Sequence, residues 1–73
     1  MTLDRAPLGH RLVLQDAVGV GTTRRLAALG LRRGVEVTLL QRTCGGGRIA
    51  MVGGTRLALG PGVLKHIQVA VAS

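Results

Sequence analysis

The sequence predicts a mainly β fold, a small closed barrel of about five short strands with one short α-helix. Three observations lead there. The chain has 73 residues, room for one domain and no more. Twelve of them are glycine, which implies frequent tight turns and favours short strands over long helices. Between those glycines the apolar residues recur in brief runs, several of them with the two-residue period of a half-buried strand. Phe, Tyr and Trp are absent, so the core has to be assembled from Leu, Val, Ile and Ala.

Residues 1–10 read as a partly mobile lead-in, because Pro7 and Gly9 interrupt any regular pattern. The domain proper is expected over 11–73. Arg11–Leu14 forms a short strand with Leu12 and Leu14 on one face; Gln15-Asp16 is expected to break it, and 18–21 to turn. Thr22–Leu29 is the clearest helix. Thr22 or Thr23 can cap its start, and Leu26 and Leu29 lie three apart on one face. Gly30 supplies the left-handed residue that stops the helix, and Leu31 is placed to touch Leu26 as the hydrophobic contact of a Schellman cap.

The second half is strand-rich. Val35–Leu40 alternates, with Val35, Val37 and Leu39 directed inward. A glycine-rich connection over 43–47 leads to a strand at Arg48–Val52. Gly53-Gly54 makes a two-residue hairpin turn. Thr55–Leu59 is the next strand, with Leu57 and Leu59 inward. Gly60-Pro61-Gly62 turns again, Val63–His66 forms one helical turn, and Ile67–Val71 closes the domain with Ile67, Val69 and Val71 on one face.

Nine arginines and one lysine stand against Asp4, Asp16 and Glu36, a net charge of +7. That balance suits nucleic acid, an anionic surface or an acidic protein partner. The N-terminal segment lacks the apolar core of a signal peptide, and no apolar run approaches the length that spans a bilayer. The single cysteine, Cys44, allows no intrachain disulfide and suits a reducing cytosol.

Catalysis would require a nucleophile with its base, paired carboxylates or a metal cluster. The three acids are scattered. Cys44, His10 and His66 show no short ligand spacing. The glycines at 45–47 lead into a strand and lack the Lys-Ser/Thr and helix of a phosphate-binding loop. The expectation is a protein that is no enzyme, holds no cofactor or metal, and works by binding.

The run R-R-L-A-A-L-G-L-R-R-G-V-E-V, Arg24 to Val37, resembles the FeoA family, whose pattern is a short helix, L-G-L, two residues, a glycine and an alternating strand. The order that follows is also similar: glycine-rich loop, hairpin, T-R-L-A-L at Thr55–Leu59, a turn and a final I-x-V strand at Ile67–Val69. The likeness covers about Leu12 to Val71. It departs in two loops: family members commonly carry proline where this chain has Cys44-Gly45, and an alanine-containing helical turn where it has Gly62-Val63-Leu64-Lys65.

The resemblance implies an SH3-like barrel. It implies a cytoplasmic accessory of bacterial ferrous iron uptake that binds the GTPase part of the FeoB transporter and modulates it, without inserting into the membrane. The docking residues expected are Arg24, Arg25, Leu29, Gly30, Leu31, Arg32 and Arg33, the arginines steering the encounter. A barrel this small with an aliphatic surface is open to weak self-association.

Two alternatives share the fold. One is a basic barrel that binds RNA or DNA through phosphate contacts; the lack of aromatics for base stacking weighs against it. The other is a detached relative of the SH3-like domain at the C-terminus of metal-dependent repressors.

Overall fold

The computed structural model describes residues 1–17 and 22–72, without the side chains at 22 and 23. The expected turn over 18–21 and the caps at Thr22 or Thr23 lie outside the described residues. Five strands, β1 (Arg11–Ala17), β2 (Glu36–Arg42), β3 (Arg48–Val52), β4 (Thr55–Leu59) and β5 (Ile67–Val71), accompany helix α1 (Thr22–Ala28) and a single helical turn, α2 (Pro61–Leu64). They form one antiparallel sheet in the order β4-β3-β2-β1-β5.

Every buried side chain among the described residues is Leu, Val, Ile or Ala. The alternation in β2 and β5 places Val37, Leu39, Ile67 and Val69 fully inside. Full burial of one such side chain is worth about 1.5–3 kcal/mol. The sheet bends around these residues at two irregularities, between Leu14 and Asp16 in the β1–β5 pairing and between Leu39 and Gln41 in the β2–β3 pairing. An extra residue at such a point sharpens local twist.

The first bulge corrects one expectation. Gln15-Asp16 does not end β1; the strand takes up Gln15 as a bulge and continues to Ala17, opposite Ile67. The second leaves Leu40 on the outer surface. Two further leucine and valine assignments change. Leu29 does not share the buried face of Leu26: it is the last residue before the cap glycine and is 47% exposed. Val71 is 53% exposed, because it sits at the last pair of the β1–β5 ladder.

The helix stop follows the sequence closely. Leu31 N–H donates to Leu26 C=O at 2.8 Å, and Gly30 N–H donates to Ala27 C=O at 3.0 Å. These are the two bonds of a Schellman motif. Gly30 has φ +91°. Leu26 and Leu31 are both in the core. At Gly47 the need is space instead: an added Cβ would lie 2.6 Å from Thr43 Oγ1 and 2.8 Å from Leu59 O.

The barrel is not closed by hydrogen bonds. Among the described residues no ladder joins β4 to β5, and the chain passes between them through α2. The outer edge of β5 is instead taken by the N-terminus. Val69 N–H donates to Met1 C=O at 2.8 Å, the Met1 amino group donates back to Val69 C=O at 3.1 Å, and Thr2 bridges Gln68. A 3-10 turn at Leu3–Arg5 packs against α2, and each of the two supplies a fully buried leucine, Leu3 and Leu64. Residues 1–10, set apart from the domain by their Pro and Gly, thus give the core Leu3 and Ala6.

Two stability measurements check these assignments. Gly30→Val is expected to cost about 1–3 kcal/mol in urea unfolding, from the left-handed backbone alone, since nothing lies within 4 Å of the added Cβ. A wild-type midpoint would refute the cap. Leu3→Ala is expected to cost about 2–5 kcal/mol; a loss below 1 kcal/mol would show that the N-terminal turn is not part of the folding unit.

Candidate partner-docking surface

The helix stop fixes the geometry of the expected site. Residues 32–35 turn directly after the cap, with Val35 N–H donating to Arg32 C=O at 3.1 Å. This turn is stitched to β1: Gly34 N–H donates to Leu14 C=O at 2.8 Å, and Leu14 N–H to Val35 C=O at 3.0 Å. Arg33 adds a side-chain tie, its Nε donating to Gln15 C=O at 3.0 Å. Arg32 and Arg33 are therefore carried on backbone pinned to the sheet, and Arg24 and Arg25 on the helix leading into it.

The seven expected docking residues do not all reach the surface. Arg24, Arg25, Leu29, Gly30, Arg32 and Arg33 are exposed. Leu31 is 2% exposed and belongs to the core, because the Schellman contact turns it inward onto Leu26. A shallow cleft of about 280 Å³ opens beside this rim, walled by Leu14, Ala17, Ala27 and Leu31 and edged by Asp16, Arg32 and Arg33. The sequence did not point to Ala17 and Ala27 as cleft walls. The signal available was β1 itself, had Gln15 been taken as a bulge and the strand extended to Ala17.

The electrostatics are one-sided. Among the described residues the one ion pair is Arg11 Nη2 to Glu36 Oε1 at 2.9 Å, both side chains more than half exposed. A pair so exposed contributes at most about 1 kcal/mol. Asp16 uses Oδ1 to accept from Ala17 N–H at 2.8 Å. Arg24, Arg25 and Arg32 have no carboxylate partner among the described residues. Arg48 is satisfied by backbone, donating to the carbonyls of Gly46 at 3.0 Å, Gly47 at 2.9 Å and Asp4 at 3.4 Å.

Asp4 is not on a free tail. Its Oδ1 is buried with no hydrogen-bond partner. The Thr2 side chain, the Asp4 backbone N–H and the charges of Arg5 and Lys65 hold its carboxyl below the usual range, against the opposing effect of burial.

His10, Cys44 and His66 are exposed. Among the described residues no three His, Cys, Asp or Glu side chains gather as metal donors do. Among the described residues no helix is long and apolar enough to cross a membrane. What the surface assembles is a fixed cationic rim beside an apolar cleft, which can attract and seat a partner.

Fold and core together define a small SH3-like β domain, built from five antiparallel strands around an aliphatic interior. A family model of the FeoA domain matches residues 1–71, and the chain belongs to that family. Among solved structures it is similar to Stenotrophomonas maltophilia FeoA complexed with zinc, a prokaryotic SH3 domain protein, at 32% identity and TM-score 0.81, covering 96% of this chain and 89% of that one. An iron uptake regulatory protein, FeoA, is similar at 27% identity and TM-score 0.83, covering 96% of this chain and 93% of that one. A manganese-dependent transcriptional repressor shares the fold at TM-score 0.87 and 16% identity, with 100% of this chain and 41% of that one covered. Comparison with curated proteins gives no match.

The lowered Asp4 carboxyl predicts a pH dependence. A depressed folded-state pKa stabilises the fold above the unfolded value and loses that contribution as pH falls through the folded one. The stability gap between wild type and Asp4→Asn should therefore shrink on acidification below pH 3.8, the ordinary value. A gap constant in urea titrations from neutral pH to that region would show that Asp4 is unperturbed.

Proposed function

We propose that this protein is a cytoplasmic accessory of bacterial ferrous iron uptake that binds the GTPase-containing FeoB transporter and modulates it. The observation that carries the reading is the FeoA domain match across residues 1–71. The Stenotrophomonas relative has been put forward as a bacterial ferrous iron transport activating factor, and the second relative is an iron uptake regulatory protein. The site fits this role physically. Arg24, Arg25, Arg32 and Arg33 form a cationic rim that raises the rate of encounter with an acidic surface. Exposed Leu29 and the adjoining cleft offer apolar area for the docked state. Nothing in such a role requires the protein itself to hold iron.

The direct test is binding of the full chain to the purified cytoplasmic GTPase domain of the cognate transporter, free and with each guanine nucleotide. The expected result is saturable binding in at least one state. Failure in every state removes the reading. A double change of Arg24 and Arg25 to Gln should slow association on the order of tenfold at low ionic strength, leave the melting temperature unchanged, and lose most of that difference at high salt. An association rate indifferent to both changes would reduce those arginines to solvated rim.

A further inference from the structure

A second surface lies at the far end of the sheet. Among the described residues β4 has one hydrogen-bonded neighbour, β3. Among the described residues no backbone hydrogen bond reaches its other edge. The opposite edge strand, β5, is treated differently, since Met1 and Thr2 cover it. The phase of the β3–β4 ladder says which groups are left open. The two-residue turn at Gly53-Gly54 makes Val52 and Thr55 the first hydrogen-bonded pair. Ala50–Leu57 and Arg48–Leu59 follow as bonded pairs, and Met51–Arg56 and Ile49–Ala58 alternate between them as non-bonded pairs. The N–H and C=O of Arg56 and of Ala58 therefore point away from β3, toward solvent.

The same two residues line a cleft of about 410 Å³ on the outer face, together with Leu40, Gln41 and Ile49. Leu40, the bulge residue of β2, is 39% exposed. Charge in this half of the chain has a single sign. From Val37 to Ser73 the chain contains no Asp or Glu, while it carries Arg42, Arg48, Arg56 and Lys65. An unpaired edge and an outer-face cleft coincide with the acid-free half of the chain, although Asp4 from the N-terminal turn approaches Arg48 and Lys65.

We infer that the β4 edge is a strand-addition site for an extended acidic peptide segment of a partner protein. The segment pairs its backbone with Arg56 and Ala58. It sets a carboxylate beside Arg56 and, two residues along on the same face, an aliphatic side chain beside Ala58. Backbone pairing supplies the affinity and the alternate side chains the selectivity. A second copy of this chain is a poor occupant. Each copy carries a net charge of +7 and would bring Arg56 to an edge that has no acid. Nucleic acid is disfavoured because an edge of amides and carbonyls reads a peptide backbone, and the cleft lining offers no ring for bases to stack on. The site shares no residue with the rim around α1, so it is independent of the function proposed above.

The test uses the isotope-labelled full chain and a synthetic peptide repeating serine, glutamate, serine, valine, which puts glutamate and valine two apart on one face. The expected result is amide shifts centred on Arg56 and Ala58 and slowed hydrogen exchange at those two amides. A peptide with lysine in place of glutamate should not bind. Ala58→Pro removes an outward N–H without touching the β3 ladder and should weaken binding about tenfold or more. Arg56→Gln should lower both the affinity and its salt dependence, a check that stands if the proline variant does not fold. Four results would overturn the proposal: no shift at Arg56 and Ala58 with millimolar peptide; protection of those amides in the free protein; shifts gathered instead around Arg24–Arg33; or tighter binding of single-stranded oligothymidylate through the same residues.

Discussion

The core of this domain contains no ring, and that constraint shapes everything around it. Leu, Val, Ile and Ala have to exclude water from the centre of a chain of 73 residues. A chain this short buries only about 60% of the surface it exposes when unfolded. A flat sheet of five short strands could not do it; the sheet must curl so that one face becomes an interior. The bulges at Gln15 and Leu40 provide the bends. Single leucines from outside the sheet complete the filling: Leu26 and Leu31 from the helix and its cap, Leu64 from α2, and Leu3 from the N-terminal turn.

That last contribution explains the asymmetry of the two edges. β5 borders the place where Leu3 is anchored, so Met1 and Thr2 run alongside it and satisfy its backbone. β4 has no such companion among the described residues. Its protection is shortness, since Arg56 and Ala58 alone face outward, and the positive charge of Arg56. Such devices keep like molecules apart, while leaving the edge accessible to a segment of opposite charge.

Local signals in the sequence were legible where one residue type enforces one conformation. Gly30 after Leu26–Leu29 encodes the helix stop, and both Schellman bonds form. Gly53-Gly54 sets the hairpin, and the strands it joins run over Arg48–Val52 and Thr55–Leu59 as the alternation implies. What could not be read locally depended on pairing across the sheet. Gln15-Asp16 looks like a strand end until β5 is laid beside it and takes up the extra residue. Val71 has the right phase to be buried and lacks a neighbour to bury it. Leu3 sits behind Pro7 and Gly9, which resemble a boundary, yet its burial is decided by α2, some sixty residues away in the chain.

The proposed docking surface shows the same division. The arginines of the α1 rim were visible as charges flanking a helix, but their placement is a consequence of the cap. The Schellman motif draws Leu31 into the core, and this forces the next residues to turn back along β1. Arg33 then reaches Gln15 C=O, and the cleft between helix and strand acquires its cationic lip. One glycine thus couples stability to the placement of the cationic rim. It permits the left-handed turn that buries Leu31, and the same turn fixes where Arg32 and Arg33 stand. A domain without aromatic anchors has few ways to be selective, because most strong interface contacts come from Trp, Tyr and Arg. Here only arginine is available, so selectivity in the proposed docking rests on where a rigid backbone holds it.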